Sequence, residues 1–579
     1  MNIHTYIYSV FLSCIFLFSL SVSESVAQRI SKKQRKAQEK EILASRLFVE
    51  GQKYMMLEDF DRAYFYFDKA RSYNPDEAAV YFKMAEILTR ANQLEKALDL
   101  ANQAVEMDGS NKYYKLMIAE IYSKQKKPKE AAEVLRSLMG DDSENQHYIL
   151  ELASLYLASQ EFDKALEALD QAEEYYGVVE QLTAQKQRIY LRKNDLASAV
   201  EEGKKLIEAH PGNASYVLAL VEVLFNNNRV EQAMNEVRLS LANYPDQPEL
   251  FMAMYTLHKE KKELSPANDY LRRAFSHPDL DVDMKVRVFS EIMQELKTEA
   301  RNNLLSELAD FLKELHPKQP QVNGALGDYE QLRGNKKEAL NYYRSSLAAS
   351  SENEAVFQAA INLMFEQQVD FGEIESVTAI AVEEFPKRPD FWFFDGTAKL
   401  ALKKYHEAKA SLEKSLELNQ PTNRQLEMMA LGQLGDVYHA LEQKEKAFEA
   451  YEKVLEINPN NEHILNNYAY FLSLEKKDLE KAKKMSEKLV TRFPKNATYL
   501  DTHAWVLFQL GLYEDARKYM ERALENQSEP SGVMYEHFGD ILYKLGETSE
   551  ALAYWQKAAG LDETSKFLSE KIKHKRYYE

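Results

Sequence analysis

The chain is 579 residues long and sets 92 Asp and Glu against 74 Lys and Arg, a formal net charge of −18. So acidic a surface repels nucleic acid and anionic lipid over most of its extent, which argues against nucleic acid as a partner. A single cysteine, Cys14, leaves no disulfide within the chain and no cysteine-ligated metal, and only 18 Gly and 15 Pro leave little room for long loops.

The first element is an apolar run from Ile7 to Leu20, followed by the small-x-small tripeptide Ser25-Val26-Ala27. A run of about 14 residues is short for a bilayer span, and small residues at that spacing suit signal peptidase. Residues 1–27 therefore read as a signal peptide cleaved after Ala27. Such a leader would export the chain to the periplasm or another extracytoplasmic part of the cell envelope, and its removal would take Cys14 and any redox chemistry with it. No Lys or Arg precedes the run, whereas Arg29, Lys32, Lys33, Arg35 and Lys36 follow it. That charge order suits an uncleaved anchor, so a membrane-anchored adaptor is the alternative. Residues 28–42 read as a basic linker or cap helix.

Residues 43–280 form a regular array. Ala63, Ala97, Ala131, Ala165, Ala199, Ala233 and Ala267 stand 34 residues apart without slippage. A fixed period means one structural unit copied along the chain, and 34 residues accommodate two antiparallel helices and two turns, with a small residue where the helices cross. With the alanine at unit position 20, the first unit has Gly51 at 8, Tyr54 at 11, Phe67 at 24, Ala70 at 27 and Pro75 at 32. Small residues at 8 and 20 admit the neighbouring helix, aromatics fill the space between layers, and proline ends the second helix. The unit around Ala447 repeats the pattern with Leu434, Gly435, Tyr438 and Tyr451. On these residues the chain resembles the tetratricopeptide repeat family. The resemblance implies an all-α, right-handed superhelical solenoid of about 15 helix-turn-helix repeats.

Residues 281–424 are an irregular middle, where Leu305, Ala339, Ile374 and Ala408 keep the register, with breaks at His316-Pro317 to Pro320 and at Gln420-Pro421. Residues 425–562, around Ala447, Ala482, Ala516 and Ala551, come closest to the repeat pattern, and 563–579 read as a cap helix closing the last apolar face. In this last third, Asn466-Asn467-Tyr468-Ala469-Tyr470, the stretch from Tyr499 to Trp505, and His537-Phe538-Gly539-Asp540 resemble successive first helices of bacterial cell-envelope tetratricopeptide proteins. Ala469 and Ala504 stand where that group carries glycine.

Catalytic and metal motifs fail on spacing. His406-Glu407 has Ala410 in place of a second histidine, and Asp279, Asp281 and Asp283 are followed by Met284 and Ser290 where a calcium loop needs Gly and Glu. Gly324 and Gly327 lie inside a first helix as packing glycines. His503 and His537 sit at one level of successive units, where their rings are able to approach, but no third ligand accompanies them. The chain is thus expected to be neither an enzyme nor a cofactor protein.

The resemblance further implies that first helices line a concave groove through unit positions 2, 5, 9 and 12. Carried over, these include Tyr470, Asp501, Trp505, Phe508, Glu536, Asp540 and Tyr543 near the C-terminus, and Phe48 and Phe82 near the start. Aromatics beside carboxylates suit a basic, amphipathic protein or peptide segment. Trp505 is expected to be open to the groove because Ala504 and Leu507 already serve the core; the competing expectation packs Trp505 and Phe508 against the C-terminal helix. Phe48, Phe82 and Leu116 occupy the place of the lysine that clamps a terminal carboxylate in chaperone-binding relatives, which argues against that clamp. The basic ends, from Arg29 to Lys40 and from Lys571 to Arg576, are solvated helix termini or peripheral membrane contacts. The expected role is an exported scaffold supporting assembly of an envelope complex.

Overall fold

The computed structural model describes residues 32–139, 148–295, 297–529, 531–561 and 564–579. The expected signal peptide and its cleavage after Ala27 lie outside them. Among the described residues 31 helices follow one another, with no strand. Thirty of them alternate as helix A and helix B of fifteen successive repeats, from Lys32–Met56 and Phe60–Tyr73 to Gly532–Lys544 and Thr548–Ala558, and the short Leu568–His574 helix comes last. None is long and apolar enough to cross a membrane. The chain packs as two compact units divided between Leu271 and Arg272.

Local chemistry sets each boundary. In the first unit two helices A begin on an Asn cap, Asn111 and Asn213, whose side chains accept from the backbone N–H two residues on. Helix A then reverses into helix B through one residue with positive φ: Glu58, Asn92, Lys126, Gln160, Asn194, Asn228 and Lys262. These positions carry the same 34-residue period as the alanines. In the second unit Gln368, Lys403, Glu442 and Lys476 take that place in four repeats and Gly334, Gly511 and Gly546, the residue type the left-handed region favours, in three.

The register alanines are buried throughout, Ala63, Ala131 and Ala199 in the first unit and Ala339, Ala447 and Ala551 in the second among them. Leu305 and Ile374 are buried at the equivalent level of the degenerate repeats. Position 8 faces position 24. A Cβ on Gly51 would lie 2.6 Å from the Phe67 ring, and one on Gly539 would lie 2.5 Å from Trp555. In the repeat ending at Pro211 the sizes are exchanged: Gln187 fills position 8, and a Cβ on Gly203 at position 24 would come within 2.8 Å of its Nε2. The fit is kept by reversing which helix supplies the bulk.

The loss of phase in the middle has a structural cause. Leu305 follows Ala267 by 38 residues. The extra length lies in the link to helix B and in that helix itself, Glu299–Leu315. The 39-residue step from Ala408 to Ala447 is taken up at residues 419–423 and in Arg424–Ala440. Inserted residues thus go to turns and helix ends, leaving the crossings intact.

Candidate protein-binding groove

The last three helices A, Glu462–Leu474, Ala497–Gln509 and Gly532–Lys544, start on side-chain caps at Asn461, Asn496 and Ser531. Capping fixes where each helix begins and therefore which residues share a face. On that face the Trp505 indole lies between two rings, 3.9 Å from His537 at 14° and 4.7 Å from Phe508 at 10°. Asp501 holds the outer ring of this stack, 2.8 Å from His537 Nδ1. Tyr470 approaches His537 at 6.1 Å from the preceding repeat. Six of the C-terminal residues singled out in the sequence, all but Tyr543, thus cluster around His537 and the segment that covers it. Tyr543 instead packs 5.8 Å from Trp555.

The expectation that Trp505 is open to the groove is corrected. Trp505 is 6% exposed; Phe508, Asp501, Glu536 and Asp540 are buried too, while Tyr470 and Tyr543 are half-buried. The covering material is the segment 564–579. Lys571 Nζ stands 2.8 Å from Glu536 and 2.6 Å from Asp540. The Ser565 backbone N–H donates to Glu536 at 2.7 Å, and its hydroxyl bonds the other carboxylate oxygen. Tyr577 lies 5.8 Å from Phe508, with the Lys544 ammonium 4.4 Å from its ring. Glu579 pairs with Lys476. A cavity of about 280 Å³ remains between segment and groove, lined in part by Tyr470, Trp505, His537 and Asp540.

Asp540 also has a packing role that its position alone concealed. Its carboxylate accepts from Trp555 Nε1 at 2.9 Å. Asp328 accepts from the Tyr343 hydroxyl at 2.7 Å, and Asp436 from the Tyr451 hydroxyl at 2.6 Å. In each case the acid follows a position-8 glycine, Gly327, Gly435 or Gly539. The glycine lets the ring lie on helix A, and the ring's polar edge then reaches the next side chain. This Gly-Asp signature was legible in the sequence.

The two carboxylates that share Lys571 are shifted in opposite directions. Burial pushes Asp540 up to about 6 against the opposing pull of Lys571. Burial also works to raise Glu536, but bonds from Lys571 and Ser565 outweigh it and hold the group low. Lys571, Ser565 and Tyr577 were missed as groove residues. Lys571 and Glu536 stand 35 residues apart, with no periodic signal joining them.

In the first compact unit Phe48 and Phe82 are half-buried, 5.4 Å from Phe67 and 5.1 Å from Tyr114 respectively. Both pack against the core of the opening repeats. A cavity of about 260 Å³ lies beside Phe48. The sequence-derived groove residues thus fall into two separate sets.

The rejected motifs have other partners. Asp281 caps a helix through the Met284 N–H at 2.8 Å, and His406 and Glu407 are exposed. His503 and His537 do not form a ring pair. His503 Nδ1 is 2.8 Å from Ser486 Oγ and its ring packs on Tyr519, while His537 joins Asp501 and Trp505. Among the described residues no group of three or more metal-ligating side chains occurs.

Comparison with known families agrees with this architecture. A model described as tetratricopeptide repeat matches residues 54–121, 122–185 and 190–254. Two further models of that description match 396–460 and 502–566. A model described as the cytochrome c-type biogenesis protein H TPR domain matches 429–531. Curated proteins gave no match. Among solved structures, one described as "Structure of Naa15/Naa10 bound to HypK-THB" is similar over 92% of this chain and 99% of that chain, at 13% identity and a TM-score of 0.31.

Proposed function

This chain belongs to the tetratricopeptide repeat family, and we propose from that premise that it is an exported, non-enzymatic scaffold for a cell-envelope complex. Arrays of this family mediate protein–protein interaction. The observation that carries the reading for this chain is the surface of the last three helices A. An aromatic stack of Phe508, Trp505 and His537 stands beside the carboxylates of Glu536 and Asp540, and this surface already accommodates a cation and a ring, Lys571 and Tyr577. Rings provide area and acids provide orientation, the combination that recognises a basic, amphipathic protein segment. Residues 7–27 support export. The match of 429–531 to a domain named for cytochrome c-type biogenesis supports the envelope as the place of work.

Purification of the protein from its native envelope tests both halves. The account expects a mature N-terminus at Gln28 and a co-purifying protein in defined ratio. An intact segment 1–27 would replace export by anchoring. A bound metal or cofactor with substrate turnover, in place of a protein partner, would overturn the scaffold reading.

A further inference from the structure

We propose that residues 571–579 are a displaceable internal ligand of the C-terminal groove, and that the external occupant is a protein segment of the same chemistry, a Lys or Arg followed by an aromatic residue. The proposal rests on the groove reading above and adds what fills the groove when the partner is absent.

The path of the segment is the first argument. A terminal cap needs to cover only the apolar flank of the last helix pair, and Leu568 and Ile572 do so. The chain then leaves the helix at Lys575, whose φ of 52° lies in the left-handed region, and continues along the groove. Lys571 meets the last helix A at Glu536 and Asp540, Tyr577 meets the preceding one at Phe508, and Glu579 reaches Lys476 at the end of the one before that. A cap has no need of contacts on three successive repeats, whereas a peptide lying in a groove makes them.

The second argument is the kind of contact. One ammonium sits between two buried carboxylates, one ring lies against Phe508 beside the Lys544 ammonium, and one acid pairs with a lysine. Desolvation offsets much of the attraction in a buried ion pair, yet removing the cation alone leaves Glu536 and Asp540 buried and uncompensated. Only another cation fills that place well, which defines the partner's anchor. The third argument is the incomplete fit. The cavity of about 280 Å³ persists under the segment, and the Trp505 indole N–H is buried with no acceptor. An occupant that fills the cavity and offers a carbonyl there would fit better than the resident segment does.

The test uses the full chain and a fluorescent synthetic peptide of sequence 564–579 as probe. A tethered segment acts at an effective concentration on the order of 1 mM, so a probe that binds the open groove at about 10 µM is weakened about 100-fold in the wild type. Tyr577→Ala, at the far end from the cap contacts, is expected to strengthen probe binding by about tenfold or more while melting stays within a few degrees. Lys571→Gln provides a second loosened chain. Adding Glu536→Gln to the Tyr577→Ala chain is expected to weaken the probe again. Equal affinity for wild-type and loosened chains, or a collapse of melting in both variants, would overturn the proposal and leave the groove reading standing. Probe binding indifferent to Glu536→Gln would place it outside the groove and overturn both. A dimer that forms only when Tyr577 is present would put the segment in a second copy's groove, overturning the intramolecular assignment.

Discussion

Gly435 and Tyr451 show how little latitude a single position in this array has. The Tyr451 ring is fully buried and lies on helix A where Gly435 has no side chain, and its hydroxyl donates to Asp436 at 2.6 Å. Gly435→Ala would push a methyl group into that ring. The expected cost is about 1 to 3 kcal/mol of overpacking, read as a lower melting temperature. The same substitution at Gly177, where nothing lies within 4 Å of an added Cβ, meets no such obstruction and is strained only by its backbone. His503 gives the second prediction at this scale. Burial pushes its imidazole down to about 4, with Lys483 and Arg522 acting in the same direction. The unfolded chain therefore takes up this proton first. The contribution to stability is complete above the ordinary histidine value and is lost as pH falls from about 6.5 toward 4, up to about 3 kcal/mol. His503→Gln is expected to flatten the melting temperature between pH 7 and 5 relative to the wild type; an unchanged slope would contradict the assignment. Asp540, raised by burial, acts with the opposite sign below its value of about 6, so the difference between variant and wild type is the quantity to read.

At the scale of the helix and its repeat, a period of 34 residues turns one packing rule into fifteen pairs. Ala131 has no exposed surface, and a leucine in its place drives a larger side chain into a helix crossing. Ala131→Leu is expected to cost about 1 to 3 kcal/mol. Hydrogen exchange should show the loss in its own and adjoining repeats, because contacts in a solenoid are local. Uniform loosening of the whole chain would contradict this. The elements were legible in the sequence because alanine, glycine and aromatic positions recur in phase; even Leu305 and Ile374, unlike alanine in size, hold the predicted level. Two features were not legible. The left-handed turn residues of the first unit include Glu58, Lys126, Gln160 and Lys262, types with no preference for that conformation, so only their spacing marks them. The exchange of Gln187 and Gly203 shows why the position-by-position match was poor there: the close approach of the facing pair is kept while the bulk comes from the other helix.

For the molecule as a whole, an array of helix pairs has no single core, and the faces that neighbouring repeats leave uncovered are where a partner can be met. The position of those faces was readable from the repeat register, which brought Asp501, Trp505 and Phe508 together with Glu536 and Asp540. Their burial was not readable, because it depends on Lys571 and Tyr577 returning across the groove from a segment outside the periodic pattern. Under the proposed function Trp505 and Phe508 serve two purposes, as the floor of a groove and as the seat of the chain's own segment. Site-specific photo-crosslinking in the native envelope tests the central claim most directly, with a photoreactive residue placed at Tyr470 or Leu474, which line the cavity from helix A, or at Lys518 or Glu550 on helices B. The account predicts a discrete adduct with the same partner protein from Tyr470 and Leu474 and none from Lys518 or Glu550. Adducts confined to the helix B positions, or formed equally at all four, would contradict binding in the groove.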